Sequence, residues 1–192
     1  MKKEIDRLTE VCMRAKRFPK NLRLFLITKD RYIRLLNGKA EVFMSSEFGV
    51  ARHMRFERGY ILDFFSKLEF FINELIRLKL IGFDSERDFM LDDILENVDL
   101  FSRIRLLEKW NVIDGSLTNE LMQAKNVRNG FAHVWDKNEV KYRGGSLKDK
   151  FPEFTEDMVS IWKKLILVYD EEQKKIDVSN IVEQIKKLNP NM

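Results

Sequence analysis

One cysteine, two histidines, three prolines and eight glycines in 192 residues rule out several kinds of protein. The lone thiol, Cys12, leaves no intramolecular disulfide framework, and with two histidines there is no Cys/His set for a structural zinc. No stretch approaches the roughly 20 apolar residues that span a bilayer. The opening Met1-Lys2-Lys3-Glu4-Ile5-Asp6-Arg7 lacks the apolar run of a signal peptide. These absences predict a reduced, cytoplasmic protein with no membrane, metal or cofactor. Scarce glycine and proline favour helices.

What is abundant is charge and phenylalanine. Charged residues make up 34% of the chain and Phe contributes fifteen residues, which suits a core of Phe and Leu packed between helices. Residues 1–60 hold 15 Lys/Arg against 7 Asp/Glu, net +8, and residues 61–192 hold 20 against 24, net −4. The basic front is compatible with a polyanion-binding face, although solvated charge that keeps the chain soluble is the commoner cause.

Along the chain the apolar spacing is mostly helical. A charged helix is predicted over residues 3–17, stopped by Pro19. From Asn21, residues Leu22, Phe25, Leu26, Tyr32, Ile33 and Leu36 suit a helix face, which we take as the expectation. Asn37-Gly38, between two apolar segments, would equally suit a hairpin. A helix start at Ser45-Ser46-Glu47 leads into Arg52, His53, Arg55 and Arg58, interleaved with Phe48, Met54 and Phe56. Such a mixture can hold a nucleic-acid backbone and stack bases, or can simply turn its apolar members to the core.

Residues 60–81 carry Ile61, Phe65, Leu68, Ile72 and Leu75 at helical spacing, with Phe64, Phe71 and Leu78 widening the stripe, and predict a core helix. Gly82 ends it. An acidic helix is expected within 83–99, one more over 99–110, and another from about Leu117 with Ser116 or Thr118 as N-cap and Leu117, Leu121, Ala124, Phe131 and Ala132 inward. A short extended piece is expected at 139–142, a long helix after Pro152, and a short one over 181–188.

The helix after Leu117 carries the most informative stretch, Arg128-Asn129-Gly130-Phe131-Ala132-His133. At about 100° per residue, Asn129 and His133 lie one above the other with Arg128 one step aside. An imidazole exchanges protons near neutral pH, a guanidinium stabilises charge on a phosphoryl oxygen, and an amide can orient either. The simpler alternative is a solvated helix face. Glu69 and Asn73, four apart beside the core stripe, are candidates to support the trio, although ordinary flank residues are the commoner reading. Lys141 and Arg143, in the loop that follows, are candidates to hold RNA together with Arg52, Arg55 and Arg58, although a Gly-Gly turn with solvated charges is the preferred reading there.

Arg128-Asn129-x3-His133 resembles the signature of the HEPN superfamily, an Arg followed by a polar residue and, four to six residues on, a His. The Phe-rich segment 62–80 and Phe101-Ser102-Arg103-Ile104-Arg105-Leu106-Leu107 are similar to elements of its mannitol-repressor-type members, so the likeness covers residues 60–135. The resemblance implies an all-α, HEPN-like antiparallel helical bundle over 45–192 including the C-terminal helices, with 1–44 as a basic N-terminal extension. It also implies a metal-independent endoribonuclease of toxin or defence type. Arg128, Asn129 and His133 would be catalytic, RNA the substrate, the chain a homodimer and an antitoxin protein a possible partner. Some members are instead inactive RNA- or protein-binding regulatory modules. One subgroup carries a modifiable tyrosine two residues after the histidine; Trp135 stands there in this chain.

Overall fold

The computed structural model describes residues 2–44, 54–83, 88–134 and 136–191. Helix α1 (Lys2–Arg14) leads into three strands, β1 (Leu24–Ile27), β2 (Arg31–Leu36) and β3 (Lys39–Met44). Helices α2 (Arg58–Ile81), α3 (Asp88–Asn97), α4 (Leu100–Lys109) and α5 (Gly115–His133) follow. A 3-10 turn (Lys137–Glu139) and the short strands β4 (Lys141–Tyr142) and β5 (Gly145–Ser146) precede α6 (Phe151–Gln173) and α7 (Ser179–Leu188).

The fold is mostly helical, but the all-α expectation needs one correction. Residues 24–44 form an antiparallel sheet in the order β1-β2-β3, not a helix. Asn37 (φ 53°) and Gly38 (φ 74°) both occupy the left-handed region, as a two-residue hairpin turn demands. They set the register from Leu36↔Lys39 to Arg31↔Met44. The alternation that marks a strand is invisible in β1, because Leu24, Phe25, Leu26 and Ile27 are all buried.

The chain divides into two compact units. One comprises the described parts of residues 1–48, 74–96 and 169–192, so that residues 1–44 cluster with segments much later in the chain. In it α1 packs on α7. Helix α1 ends at Arg14, three residues before the expected stop; beyond it the N–H groups of Lys16 and Arg17 donate to Asn189 Oδ1 at 2.9 and 3.1 Å. Cys12 lies on the buried face of α1, where burial pushes its thiol up to about 12. The Gln173 amide serves strand β1 as a partner strand would: it accepts from Ile27 N–H (3.1 Å) and donates to Ile27 C=O (2.7 Å). The Tyr169 hydroxyl donates to Phe25 C=O at 2.8 Å.

This unit also buries charge. Arg23 donates to Glu74 (3.2 Å) and Asp92 (3.0 Å), and Arg77 pairs with both of the same carboxylates. Burial raises the Glu74 pKa above its ordinary value, against the pull of Arg23 and Arg77. Burial also lowers that of Arg77.

The second unit comprises the described parts of residues 49–73 and 97–168, with α4 and α5 packed along each other. Its core is the expected Phe-rich one: Phe65, Phe71, Phe131 and Phe154 are fully buried. Asp99 caps α4 by accepting from Ser102 N–H at 3.2 Å. Asp114 caps α5 by accepting from Leu117 N–H at 2.7 Å, so the N-cap is neither Ser116 nor Thr118. Thr118 instead turns back, its hydroxyl donating to Asp114 C=O at 2.9 Å.

Candidate functional site

Helix α5 is fixed by one face. Leu117, Leu121, Ala124, Val127 and Phe131 are buried, at intervals of 4, 3, 3 and 4 residues that make a core-facing stripe. That leaves Arg128 and Asn129 half-buried beside the stripe, while Ala132, expected inward, is exposed. His133 is the last residue of the helix and is exposed.

Glu69 of α2 organises the polar side of this helix. Its Oε2 accepts from Arg128 Nη2 at 3.3 Å, so one of the two supporting residues expected from the sequence meets the motif directly. Its other oxygen, Oε1, accepts from Arg103 of α4. Asn73 reaches the motif only through that arginine, its Oδ1 accepting from Arg103 Nη1 at 2.6 Å. Asn129 Oδ1 lies 3.5 Å from Arg128 Nη1. Among the described residues, no hydrogen bond joins His133 to Arg128, Asn129 or Glu69.

Arg103 is the member of this cluster that sequence reasoning missed as a site residue. It lies at 8% side-chain exposure, and a buried guanidinium requires partners. A signal was present: Leu100, Arg103, Ile104 and Leu107 share the inner stripe of α4, and a charge inside an apolar stripe marks a buried polar network. Arg103, Arg128 and Glu69 bring two positive charges to one carboxylate. Arg128 has 37% of its side chain exposed, so the surplus charge faces solvent on the guanidinium that a ligand can reach.

The end of α5 is trimmed by the loop after it. Val134 N–H donates to Gly130 C=O at 2.8 Å, and Arg58 Nη2 donates to Ala132 C=O at 3.1 Å. Arg58 therefore supplies a cation at the negative end of the helix, one residue from His133. Gly130 is the close-approach position. A Cβ there would stand 2.9 Å from Val140 Cγ1, so the absent side chain lets the loop before β4 settle on the motif helix.

Of the remaining RNA-binding candidates, Arg55, Lys141 and Arg143 make no hydrogen bond or ion pair with Glu69, Arg103 or Arg128 among the described residues. Arg52 and His53 lie outside the described residues, as does Trp135. Arg55 stands 5.6 Å from the centroid of the Tyr60 ring. Phe56 turns to the core, edge-on to Phe131 (6.1 Å) and Phe151 (5.4 Å). Lys141 is exposed on β4. Arg143, at φ 46° in the β4–β5 turn, is held by Asp157 at 2.9 Å. That carboxylate also accepts from the Tyr142 hydroxyl. Burial first, and then Asp157, raise the tyrosine's pKa.

No protein-family model matches the chain, no curated protein matches it, and no solved structure matches it. Among the described residues, no helix is long and apolar enough to cross a membrane. No group of three or more His, Cys, Asp or Glu among the described residues is placed to hold a metal ion.

Proposed function

We propose that the chain is a HEPN-type endoribonuclease that cleaves RNA without a metal, acting as a toxin or defence effector in the cytoplasm, with an antitoxin protein as partner. The observation that carries this reading is the grip of Glu69 on Arg128: a shared carboxylate aims a partly exposed guanidinium beside Asn129, one turn before an exposed histidine. In the proposed reaction an imidazole takes the proton from the RNA 2'-hydroxyl, and the 2'-oxygen forms a bond to the adjacent phosphorus. Arg128 stabilises charge on the phosphoryl oxygens. The bond from phosphorus to the 5'-oxygen then breaks, and that oxygen takes a proton from an acid. The products are a 2',3'-cyclic phosphate and a 5'-hydroxyl. One chain supplies one such imidazole, so the reading includes a homodimer in which two copies of His133 serve as base and acid.

Purified protein is expected to cut RNA in EDTA, to leave DNA intact and to yield cyclic-phosphate ends. His133→Ala and Arg128→Ala are each expected to slow cleavage by about 10²-fold with the circular dichroism spectrum unchanged. Full activity in both variants, or a strict need for added Mg²⁺, would sink the assignment.

A second reading, an inactive RNA- or protein-binding regulatory module, is favoured by one observation: among the described residues no hydrogen bond prepares His133 for proton transfer. RNA binding without cleavage, in protein shown by light scattering to be dimeric, selects that reading.

A further inference from the structure

The first turn of α4 carries an apolar side chain that the core does not use. Leu100, Ile104 and Leu107 are buried, whereas Phe101 is 42% exposed. Two cations attend its ring. Lys125 Nζ of α5 lies 5.3 Å from the ring centroid and the Arg105 guanidinium of α4 lies 5.6 Å from it. Arg105 is also held by Glu108 at 2.6 Å, while Lys125 makes no ion pair among the described residues. Asp99, nearby in sequence, accepts from the Ser102 N–H and hydroxyl at the helix start, and the Lys125 charge acts on it more weakly than those bonds do.

Lys125 ties this ring to the candidate site. Lys125 and Asn129 are one turn apart on α5, a rise of about 6 Å, with Arg128 between them in sequence and within the same turn. A strand whose phosphate meets Arg128 and Asn129 therefore has a neighbouring nucleotide level with Lys125 and Phe101. An exposed ring flanked by cations is the combination that holds single-stranded nucleic acid, because stacking accepts any base and the cations attract the backbone. A duplex keeps its bases stacked inside and offers them to no such ring.

We infer that Phe101, with Lys125 and Arg105, is a stacking subsite for an unpaired base of single-stranded RNA, next to the phosphate held by Arg128. The inference rests on the ribonuclease reading for its placement, but its test reads binding and not cleavage. The probe is a short single-stranded RNA carrying the fluorescent base 2-aminopurine, titrated onto the full chain bearing His133→Ala. Stacking quenches the probe on binding. Adding Phe101→Ala is expected to weaken binding by about tenfold to hundredfold and to abolish the quench, whereas Phe101→Trp retains both. Thermal unfolding of each variant separates a lost platform from a lost fold. The same RNA annealed into a duplex is expected to bind with no dependence on residue 101.

Equal affinity and quenching in the folded Phe101→Ala protein overturn the subsite, as does an absence of RNA binding by the parent protein. Phe101-dependent binding by a wild-type chain that never cleaves RNA would leave the subsite standing and remove the ribonuclease assignment.

Discussion

Two ionic clusters are built around glutamates of helix α2 only five residues apart in sequence. Around Glu74, among the described residues, two arginines pair with two carboxylates, so the charges of these four groups balance. Around Glu69, two arginines share one carboxylate, and the second oxygen acceptor for Arg103 is the neutral amide of Asn73. The first cluster spends its charge internally and supports its unit. The second keeps a positive charge in hand and presents it on Arg128. Type of residue does not separate the two, since both combine arginine with acid; charge balance and exposure do.

That contrast can be broken by experiment, and the largest effect is expected in the balanced cluster. Arg77→Ala removes a buried guanidinium and leaves Glu74 and Asp92 to share Arg23, which should cost about 3–5 kcal/mol in urea unfolding. Replacing Arg77 and Glu74 together by Met and Leu should recover much of that loss, because the uncompensated charge leaves with its partner.

Arg103→Ala is expected to cost less, about 1–3 kcal/mol. It frees Asn73 Oδ1 and Glu69 Oε1 but leaves Glu69 paired with Arg128. Its functional cost should be the larger one: with Glu69 no longer held from both sides, cleavage should slow by about tenfold through misplacement of Arg128, and Arg103→Lys should restore part of the rate. A stability loss for Arg103→Ala equal to that of Arg77→Ala would erase the distinction between the clusters.

Gly130→Ala sharpens the functional side at smaller cost. The new methyl meets the β-branched Val140, and overpacking less the gain in helix propensity leaves roughly 1 kcal/mol of destabilisation. Val140→Ala in the same chain should remove the penalty.

The pH dependence of the balanced cluster is the subtlest difference. The Glu74 pKa is raised above 4.5 in the folded chain, so on acidification the folded state takes that proton before the unfolded state does. Relative to Glu74→Gln, the unfolding free energy should therefore rise as pH falls through the raised value towards 4.5, and stay level below it. The slope should not exceed about 1.4 kcal/mol per pH unit. A parallel pair of curves would show that Glu74 titrates alike in both states.

The sequence made some of this legible, for stated physical reasons. The stripe of Ile61, Phe65, Leu68, Ile72 and Leu75 announces α2 because burial on one side of a long helix repeats in sequence. Helix spacing placed Glu69 and Asn73 beside the core stripe, where ordinary flank residues were the commoner reading; which of them meets Arg128 is visible only in the fold. The sheet was hidden, since four consecutive buried residues in β1 carry no alternation and the turn signal at Asn37-Gly38 competes with apolar residues that also fit a helix. Arg103 was hidden differently. Sequence shows where a charge falls in a stripe, but its partners, Glu69 and Asn73, lie some thirty residues away, and only folding brings them together.

The buried thiol of Cys12 supplies a clock for the unit that contains α1. It is the chain's single cysteine, enclosed by the core and, with its titration pushed up to about 12, almost wholly protonated at neutral pH. A thiol reagent therefore reacts with the native chain only when α1 lifts away, and the labelling rate counts those openings. With reagent in excess, the rate reads the free energy of opening when reclosing is fast and the opening rate itself when reclosing is slow. Arg77→Ala should quicken that clock, which needs no introduced probe and no denaturant.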